Sequence, residues 1–429
     1  MVKGLLVLWS PAHAACVNKV AIQPAGTLHG TLQRGLGRAA RRAADIKGAG
    51  ELVYDCVCHD PRWDRQCESR GLYYARLIVD LELSARPMAD HLFDVSDLVD
   101  TDEWRTSLSI EVLADLVRLS RRDAAPPLRR YAEEGWNWFE ALDALLQIGD
   151  LSQVAGLDEV AVERCDDDDL YWLAADPGNP IVRDWATRHP RVAGALARRQ
   201  PSERPRRREP GPSNRPDTEL AELAHRGEDS AVEAILELGR RHSPVLLDLA
   251  EEFLPQRPSR WGSVVCRALR DYGSAALPRA RAWAACGSAC SDVGIDIVAK
   301  HGTQQDIPLL LDDLDSALTH EDWGAAASPA EGLGRLRAGA AVPLLERTWD
   351  ESAYAYLRPR LLTALMRTAP HTGESFATEG LWDCEEDVRR VAAASAPLDD
   401  ATTVRLRRLR RDPAEDPRVA AAAAARLAS

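Results

Sequence analysis

The feature that most constrains this chain is a helical pattern that repeats near its C-terminus. Two copies of an acidic start followed by Val and Ala place Val388 and Val419 in equivalent positions, 31 residues apart. A unit of this length, built from two short helices, cannot bury its apolar stripe alone and must stack on a neighbour. The pattern therefore predicts an all-α fold, an α-solenoid of stacked helix pairs.

The later copy shows the local chemistry most clearly, in the run Asp416-Pro417-Arg418-Val419. An Asp before a helix caps its exposed amides and suits the positive end of the helix dipole. Proline is tolerated in the first turn because its missing N–H would have no helical partner there. Low aromatic content and abundant Ala, Leu and Arg favour helix in the rest of the chain.

These residues resemble the short bacterial HEAT-type repeats, which often begin with Asp-Pro-x-Val-Arg followed by alanines. The run from Asp416 to Val419 matches most of that start, with Ala420 in place of the arginine. The pair Val388-Arg389 matches its end, although two glutamates replace Asp-Pro. The resemblance implies HEAT-like helix pairs whose concave face binds another protein.

The second half has the most regular pattern. Four prolines beside apolar residues, spaced by 34, 30 and 35 residues, predict four helix starts: Pro244, Pro278, Pro308 and Pro343. Partner helices are predicted at about 230–241, 259–271, 291–301 and 328–338. Further units that begin near Pro359, Val388 and Val419 bring the total to about six helix pairs and a terminal cap.

The first half is less regular but is also predicted to be helical. An amphipathic helix with a basic stripe is expected from Thr27 to about Ala43. A second is expected to start at Asp60-Pro61-Arg62-Trp63, with Asp60 as its cap, and to continue through Ile78. Other helices are expected at 103–120, 127–135, 137–148, 157–164 and 169–175, followed by starts at Asn179-Pro180 and His189-Pro190.

Composition divides the chain into four parts. Residues 1–26 fit no helical pattern and are predicted to be a disordered leader or a misassigned start. Residues 27–197 are predicted to form an N-terminal helical domain of HEAT-like pairs, and residues 218–429 a C-terminal HEAT-like array. Between them, residues 198–217 hold seven Arg and five Pro without an apolar cluster, which predicts a flexible linker.

Charge and cysteine content limit the partners and the compartment. The net charge of −13 opposes binding to nucleic acid or to an anionic membrane. No apolar run reaches the ~18 residues that a membrane span needs. Nine Cys without disulfide-rich spacing predict reduced thiols and a cytoplasmic location. The expected partner is an unidentified protein.

Two arginine clusters are the candidate binding residues. Arg34, Arg38 and Arg41 share one face of the predicted N-terminal helix, and Arg405 and Arg408 belong to a basic helix near the C-terminus. Such clusters suit an acidic peptide or a phosphate, but a solvated helix face explains them as well. Arg also outnumbers Lys by 50 to 4 in this chain, so part of the clustering reflects composition.

Three other groups have a functional and a structural interpretation. Cys56, Cys58, His59 and Cys67 could complete a zinc site, but their helical spacing favours buried structural cysteines. The carboxylates of residues 166–169 are interpreted as helix caps rather than cation ligands. Five tryptophans in the first half are interpreted as packing residues rather than a base-stacking pocket: Trp104, Trp136, Trp138, Trp172 and Trp185.

Two functions remain open. The chain has no Gly-rich phosphate loop, nucleophile elbow or zinc-protease motif, so no catalytic residue, metal or cofactor is predicted. The first hypothesis is a non-enzymatic protein-interaction scaffold. The alternative, by resemblance to HEAT-like alkylpurine DNA glycosylases, is a nucleic-acid-binding enzyme that uses Trp, Asp and Arg in a concave groove. A lyase subunit resembling phycobilin-attachment proteins rests on fold analogy alone.

Overall fold

Helix is the only regular secondary structure in the described part of the chain. The computed structural model describes residues 20–98, 104–199, 214–227, 229–256 and 261–429, and these contain 27 α-helices, short 3₁₀ turns and no β-strand. The predicted all-α class is therefore confirmed. None of these helices is long and apolar enough to cross a membrane.

Contacts divide the chain into two compact units. The described residues of the N-terminal unit fall within 20–199, 353–356 and 375–429, and those of the central unit fall within 214–352 and 357–374. The C-terminal helices thus group with the N-terminal ones. Residues 1–19 of the predicted leader at 1–26, and residues 200–213 of the predicted linker at 198–217, lie outside the described residues. The described ends of that linker are partly helical, since α13 ends at Arg199 and α14 begins at Asp217.

The helices of the N-terminal unit, in chain order, are α1 Leu28–Gln33, α2 Gly37–Arg42, α3 Ala49–Cys58, α4 Gly71–Asp80, α5 Arg86–Leu92, α6 Ser107–Arg118, α7 Ala125–Glu134, α8 Trp138–Ile148, α9 Leu151–Val154, α10 Leu157–Arg164, α11 Asp167–Leu173, α12 Pro180–Arg188 and α13 Pro190–Arg199. After the central unit the chain adds the end of α24 Pro370–Gly380, then α25 Glu386–Ser395, α26 Asp400–Arg411 and α27 Pro417–Ala428.

The central unit contains α14 Asp217–Arg226, α15 Asp229–Arg240, α16 Pro244–Phe253, α17 Gly262–Tyr272, α18 Leu277–Cys286, α19 Ser291–His301, α20 Ile307–Thr319, α21 Ala327–Arg335, α22 Val342–Glu351 and α23 Arg358–Thr368. All four predicted proline-marked starts are helix starts here. Proline occupies the first or second position of α16, α18, α20 and α22, where no amide hydrogen bond is lost.

Close approach between helices depends on small residues in the central unit. A Cβ atom placed on Gly334 of α21 would lie 2.6 Å from the Cα of Ala364 on α23. A Cβ on Gly294 of α19 would lie 2.7 Å from the carbonyl oxygen of Ala280 on α18. These helices therefore pack almost backbone to backbone, and a larger side chain would force them apart.

The predicted single helix from Thr27 to Ala43 is wrong, because the chain breaks at Gly35. Thr27 does cap α1, accepting a hydrogen bond from the Gly30 amide at 3.0 Å. Gly35 then adopts a left-handed conformation (φ +70°), which ends α1. The Gly35 carbonyl instead accepts a hydrogen bond from the Cys384 amide at 3.0 Å, far along the sequence.

The predicted helix start at Asp60 is also wrong. Its carboxylate accepts hydrogen bonds from the Arg62 amide and guanidinium at 2.7–3.0 Å, and the helix begins only at Gly71. The Arg62 guanidinium also donates to the Glu68 carbonyl and to the Glu111 carboxylate. This buried ionic contact stabilises a loop where local sequence favours a helix.

Ionic contacts join the two distant segments of the N-terminal unit. Arg76 of α4 pairs with Asp412 at 2.7 Å and with Glu415 at 2.9 Å, and Glu415 also pairs with Arg389 of α25 at 2.8 Å. Burial alone would raise the pKa of the Glu415 carboxyl, yet the arginines lower it to about 2. The carboxylate is therefore held ionised inside the unit.

Candidate functional site

The groove that we identify as the candidate site is built by α8, α11 and the start of α12. Helix α8 buries Leu142, Leu145 and Leu146 on one side and ends at Gly149, which is left-handed (φ +79°). Asn179 caps α12 through its side-chain oxygen, and its amide nitrogen donates to the Leu146 carbonyl at 3.1 Å. Through this hydrogen bond, the Asn179 side chain links the start of α12 to the end of α8.

Helix α11 supplies the other wall, and its start is fixed by the acidic run. Asp166 accepts hydrogen bonds from the amides of Asp168 and Asp169, both at 2.8 Å, while Asp169 accepts from the Asp166 amide. This reciprocal capping box satisfies helix amides that would otherwise lack partners. The prediction that residues 166–169 act as a cap is confirmed.

The groove has a volume of about 760 Å³ and a mixed lining. Apolar side chains and backbone form most of its wall, with two carboxylates among them and no Lys, Arg or His. Its lining residues are Phe139, Asp143, Leu146, Gln147, Gly149, Trp172, Leu173, Ala175, Asp176, Gly178, Asn179 and Pro180.

Trp172 gives the groove an exposed aromatic wall, since 62% of this residue is accessible to solvent. The guanidinium carbon of Arg199 on α13 lies 5.0 Å from its ring centroid and 3.6 Å from that of Tyr171. Trp185, by contrast, is buried. The packing interpretation is confirmed for Trp185 and is wrong for Trp172, and also for Trp136, which is 60% exposed.

Asp143 is the titratable group that the groove affects most clearly. Its carboxylate is half-buried on α8 and accepts a hydrogen bond from the Gln147 amide nitrogen at 2.6 Å. Burial raises the pKa of Asp143, and the bond from Gln147 opposes this shift only in part. A carboxylate in such surroundings favours a cationic neighbour, because a positive charge offsets its lost hydration.

The predicted arginine residues lie elsewhere in the N-terminal unit. Arg34 is buried and donates to the carbonyls of Gln23 and Gly30 at 2.7 and 2.9 Å. Arg38 donates to both carboxylate oxygens of Glu379 at 2.9 and 3.0 Å. Both side chains therefore contribute to internal contacts.

Arg41 and Arg405 meet at one aromatic ring, although 364 positions separate them. Their guanidinium carbons lie 5.1 and 5.2 Å from the Trp382 centroid. Arg405 is buried and donates to the Leu381 carbonyl at 3.0 Å. Burial, with nearby arginines adding repulsion, lowers its pKa. The structure thus brings one member of each predicted cluster together at Trp382.

Arg408, on the same helix as Arg405, is exposed and pairs with Asp80 of α4 at 2.7 Å. About half of each side chain remains accessible, so this pair stabilises the unit little. The binding role of the five predicted arginines stays a prediction.

The cysteines of the proposed zinc alternative are spread over a helix and a loop. Cys56 is buried in the apolar core, and burial raises the pKa of its thiol to about 12. Burial likewise raises the pKa of Cys58 to about 11. Among the residues that the structure describes, no group of three or more His, Cys, Asp and Glu could hold a metal ion.

Comparison with protein-family models, with curated proteins and with solved structures gave no match for this chain. The groove residues Asp143 and Asp176 were not among the sequence-based candidates. No sequence pattern distinguished these two aspartates from the other acidic residues, of which the chain has 67 in all. The packing of α8, α11 and the start of α12 places both beside Trp172.

Proposed function

We propose that this chain is a non-enzymatic scaffold or adaptor that recognises a protein partner on the surface of HEAT-like helix pairs. The observation that carries the proposal is the groove lined by Trp172, with its large exposed aromatic surface. Rigid aromatic side chains are enriched at protein interfaces because they provide much contact area at a small cost in conformational entropy. The groove combines such a wall with a few polar groups, which suits specific binding.

Contacts between alternate helices support the array that this proposal requires. In the central unit, α19 contacts α18 and α21, and α21 contacts α20 and α23. In the N-terminal unit, α4 contacts α6, which contacts α8. A stacked repeat needs contacts of this kind, within a pair and to the next pair. We extend these contacts to HEAT-like helix pairs that stack as an α-solenoid within each unit.

The test is selection of binding peptides with the full-length chain against a randomised displayed library. We expect enriched peptides whose affinity falls about tenfold or more in Trp172→Ala, since that change removes a central aromatic anchor. Trp136→Ala is the matched control, because Trp136 is equally exposed but does not line the groove. Circular dichroism verifies that both variants fold. If no peptide distinguishes the two variants, the proposal is refuted.

The nucleic-acid-binding enzyme remains the alternative, but the groove gives it no support. A nucleic-acid site needs cationic side chains along the phosphate backbone, whereas this lining has two carboxylates and no basic residue. Binding of a labelled DNA duplex that weakens steeply with salt, and that Trp172→Ala abolishes, would favour the alternative.

A further inference from the structure

The geometry points to an arginine side chain of the partner protein as the group that occupies the Trp172 groove. This inference rests on the proposed function, and it specifies the chemistry of recognition. Three observations carry it: the charge of the lining, the environment of Asp143, and the way this chain already places guanidinium groups on aromatic rings.

The charge of the lining is uncompensated within the groove. Asp143 and Asp176 contribute two carboxylates, and none of the residues that line the groove is basic. Asp176 accepts a hydrogen bond from the Gly178 amide at 2.8 Å, and Asp143 accepts one from Gln147. Both partners are neutral, so the two negative charges attract a cation in the groove.

The location of the Asp143 carboxylate also favours a cation in the groove. It is half-buried on α8, one turn from Phe139, and it faces the same groove as Trp172. An ionised carboxylate with one neutral donor retains capacity for further hydrogen bonds. A cation that donates to it would restore the hydration that burial removes. The best occupant therefore carries several N–H donors.

The aromatic wall selects a flat cation. The Trp172 ring already contacts one guanidinium, that of Arg199 at 5.0 Å, and most of the residue remains exposed. The same arrangement occurs at Trp138, where Arg164 lies 4.4 Å from the ring centroid. Guanidinium groups within about 6 Å of an indole centroid are attracted by its negative face. A second guanidinium would therefore find a suitable surface at Trp172.

Arginine fits these conditions better than lysine does. Its guanidinium is planar, stacks on aromatic rings and can donate two parallel hydrogen bonds to one carboxylate. It is also less strongly hydrated than an ammonium group, so entering a half-buried groove costs less. Neither Arg198 nor Arg199 lines the groove, and they donate instead to the carbonyls of Asp167 and Tyr171 at 2.6 and 2.9 Å.

The test compares two capped amino acids with the full-length chain by ligand-observed NMR titration. The probes are N-acetyl-arginine amide and N-acetyl-citrulline amide, which have the same shape but differ in charge. We expect the arginine probe to bind about tenfold more tightly than the citrulline probe, because it gains a charge-assisted hydrogen bond and a cation–aromatic contact.

Three variants test whether Asp143 and Trp172 are responsible for the preference for the arginine probe. Asp143→Asn, which keeps the side-chain shape, should reduce the tenfold preference for arginine to about threefold, because the Trp172 contact and the Asp176 charge remain. Asp168→Asn makes the same charge change on α11 at an exposed position outside the groove and should preserve the preference. Trp172→Ala should weaken binding of the arginine probe about fivefold or more.

The outcomes separate this inference from the proposed function. Equal binding of the two probes, or an unchanged preference in Asp143→Asn, overturns the arginine assignment. Selected peptides that need Trp172 but show no enrichment of arginine overturn it too, while they support the scaffold. Arginine binding without any peptide that depends on Trp172 refutes the scaffold and leaves a site for a small cation.

Discussion

The two units are stabilised by different means. Among the described residues, the N-terminal unit buries six arginines and the central unit buries one. Ion pairs of the central unit lie mainly at its surface, as in Arg279–Glu251, where both side chains are about 40% exposed. Its helices approach each other through glycine and alanine instead, as at Gly334.

The difference follows from how far apart in sequence the packed segments lie. Helices of the central unit pack on near neighbours in the sequence, so apolar stripes and small residues suffice. The N-terminal unit joins segments more than 300 residues apart, such as Arg76 and Asp412. Buried charge pairs are directional, and they fix such a joint in one register at the cost of dehydration. We interpret these buried ion pairs as the contacts that specify the register in which the two segments pack.

The largest expected effect comes from breaking that network at Glu415. Glu415→Gln leaves the guanidiniums of Arg76 and Arg389 buried without their shared carboxylate. We expect a loss of about 3–5 kcal/mol in the free energy of unfolding, measured by urea denaturation. Asp80→Asn removes an exposed pair between the same two segments and should cost only about 0–1 kcal/mol.

The same carboxylate predicts a pH dependence. Because the pKa of Glu415 is lowered to about 2, its stabilising contribution is complete above the ordinary value of 4.5 and is lost as pH falls through 2. The difference between wild type and Glu415→Gln should therefore shrink in strong acid. Equal losses for Glu415→Gln and Asp80→Asn at neutral pH would contradict the contrast between buried and surface pairs.

A smaller effect is expected from Gly334→Ala in the central unit. The added Cβ would meet Ala364 of α23 at 2.6–2.7 Å, and this overlap outweighs the ~1 kcal/mol that alanine gains in a helix. We expect a net loss of about 1–2 kcal/mol in chemical denaturation. Gly339→Ala, with nothing within 4 Å of its added Cβ, should be nearly neutral. An unchanged stability for Gly334→Ala would show that small residues do not set this packing.

The smallest effect concerns a carboxylate without a cation in the central unit. Burial raises the pKa of Asp313 to about 6, and the nearby carboxylates of Asp292, Asp322 and Asp296 add to the shift. Since the raised pKa exceeds the ordinary value of 3.8, ionised Asp313 destabilises the fold above pH 6, and this penalty vanishes below pH 3.8.

We therefore expect Asp313→Asn to stabilise the protein by about 1 kcal/mol at pH 7.5, after allowance for solvent screening, and to have no effect near pH 4. Thermal melts at both pH values measure it. Asp312→Asn, at the exposed neighbouring position, is the control. A gain that does not depend on pH would refute the electrostatic explanation.

Sequence reasoning succeeded where the relevant contacts are local. The helix starts at Pro244 and at Asn179-Pro180 and the capping role of residues 166–169 are confirmed, because each depends on residues within one turn. Sequence reasoning failed at Gly35, whose carbonyl bonds to the distant Cys384 amide, and at Asp60, where buried ion pairs stabilise a loop. The groove was missed for the same reason, since Asp143 and Trp172 lie on separate helices.

The sequence by itself determined that this chain is helical and where most helices begin, since capping and apolar periodicity act over a few residues. Tertiary structure alone decided which arginines are buried, as with Arg405 against Arg408 on one helix. It also decided that Asp143 and Trp172 share a groove. Burial and proximity between distant segments depend on how helices pack, and packing is a property of the whole set of contacts.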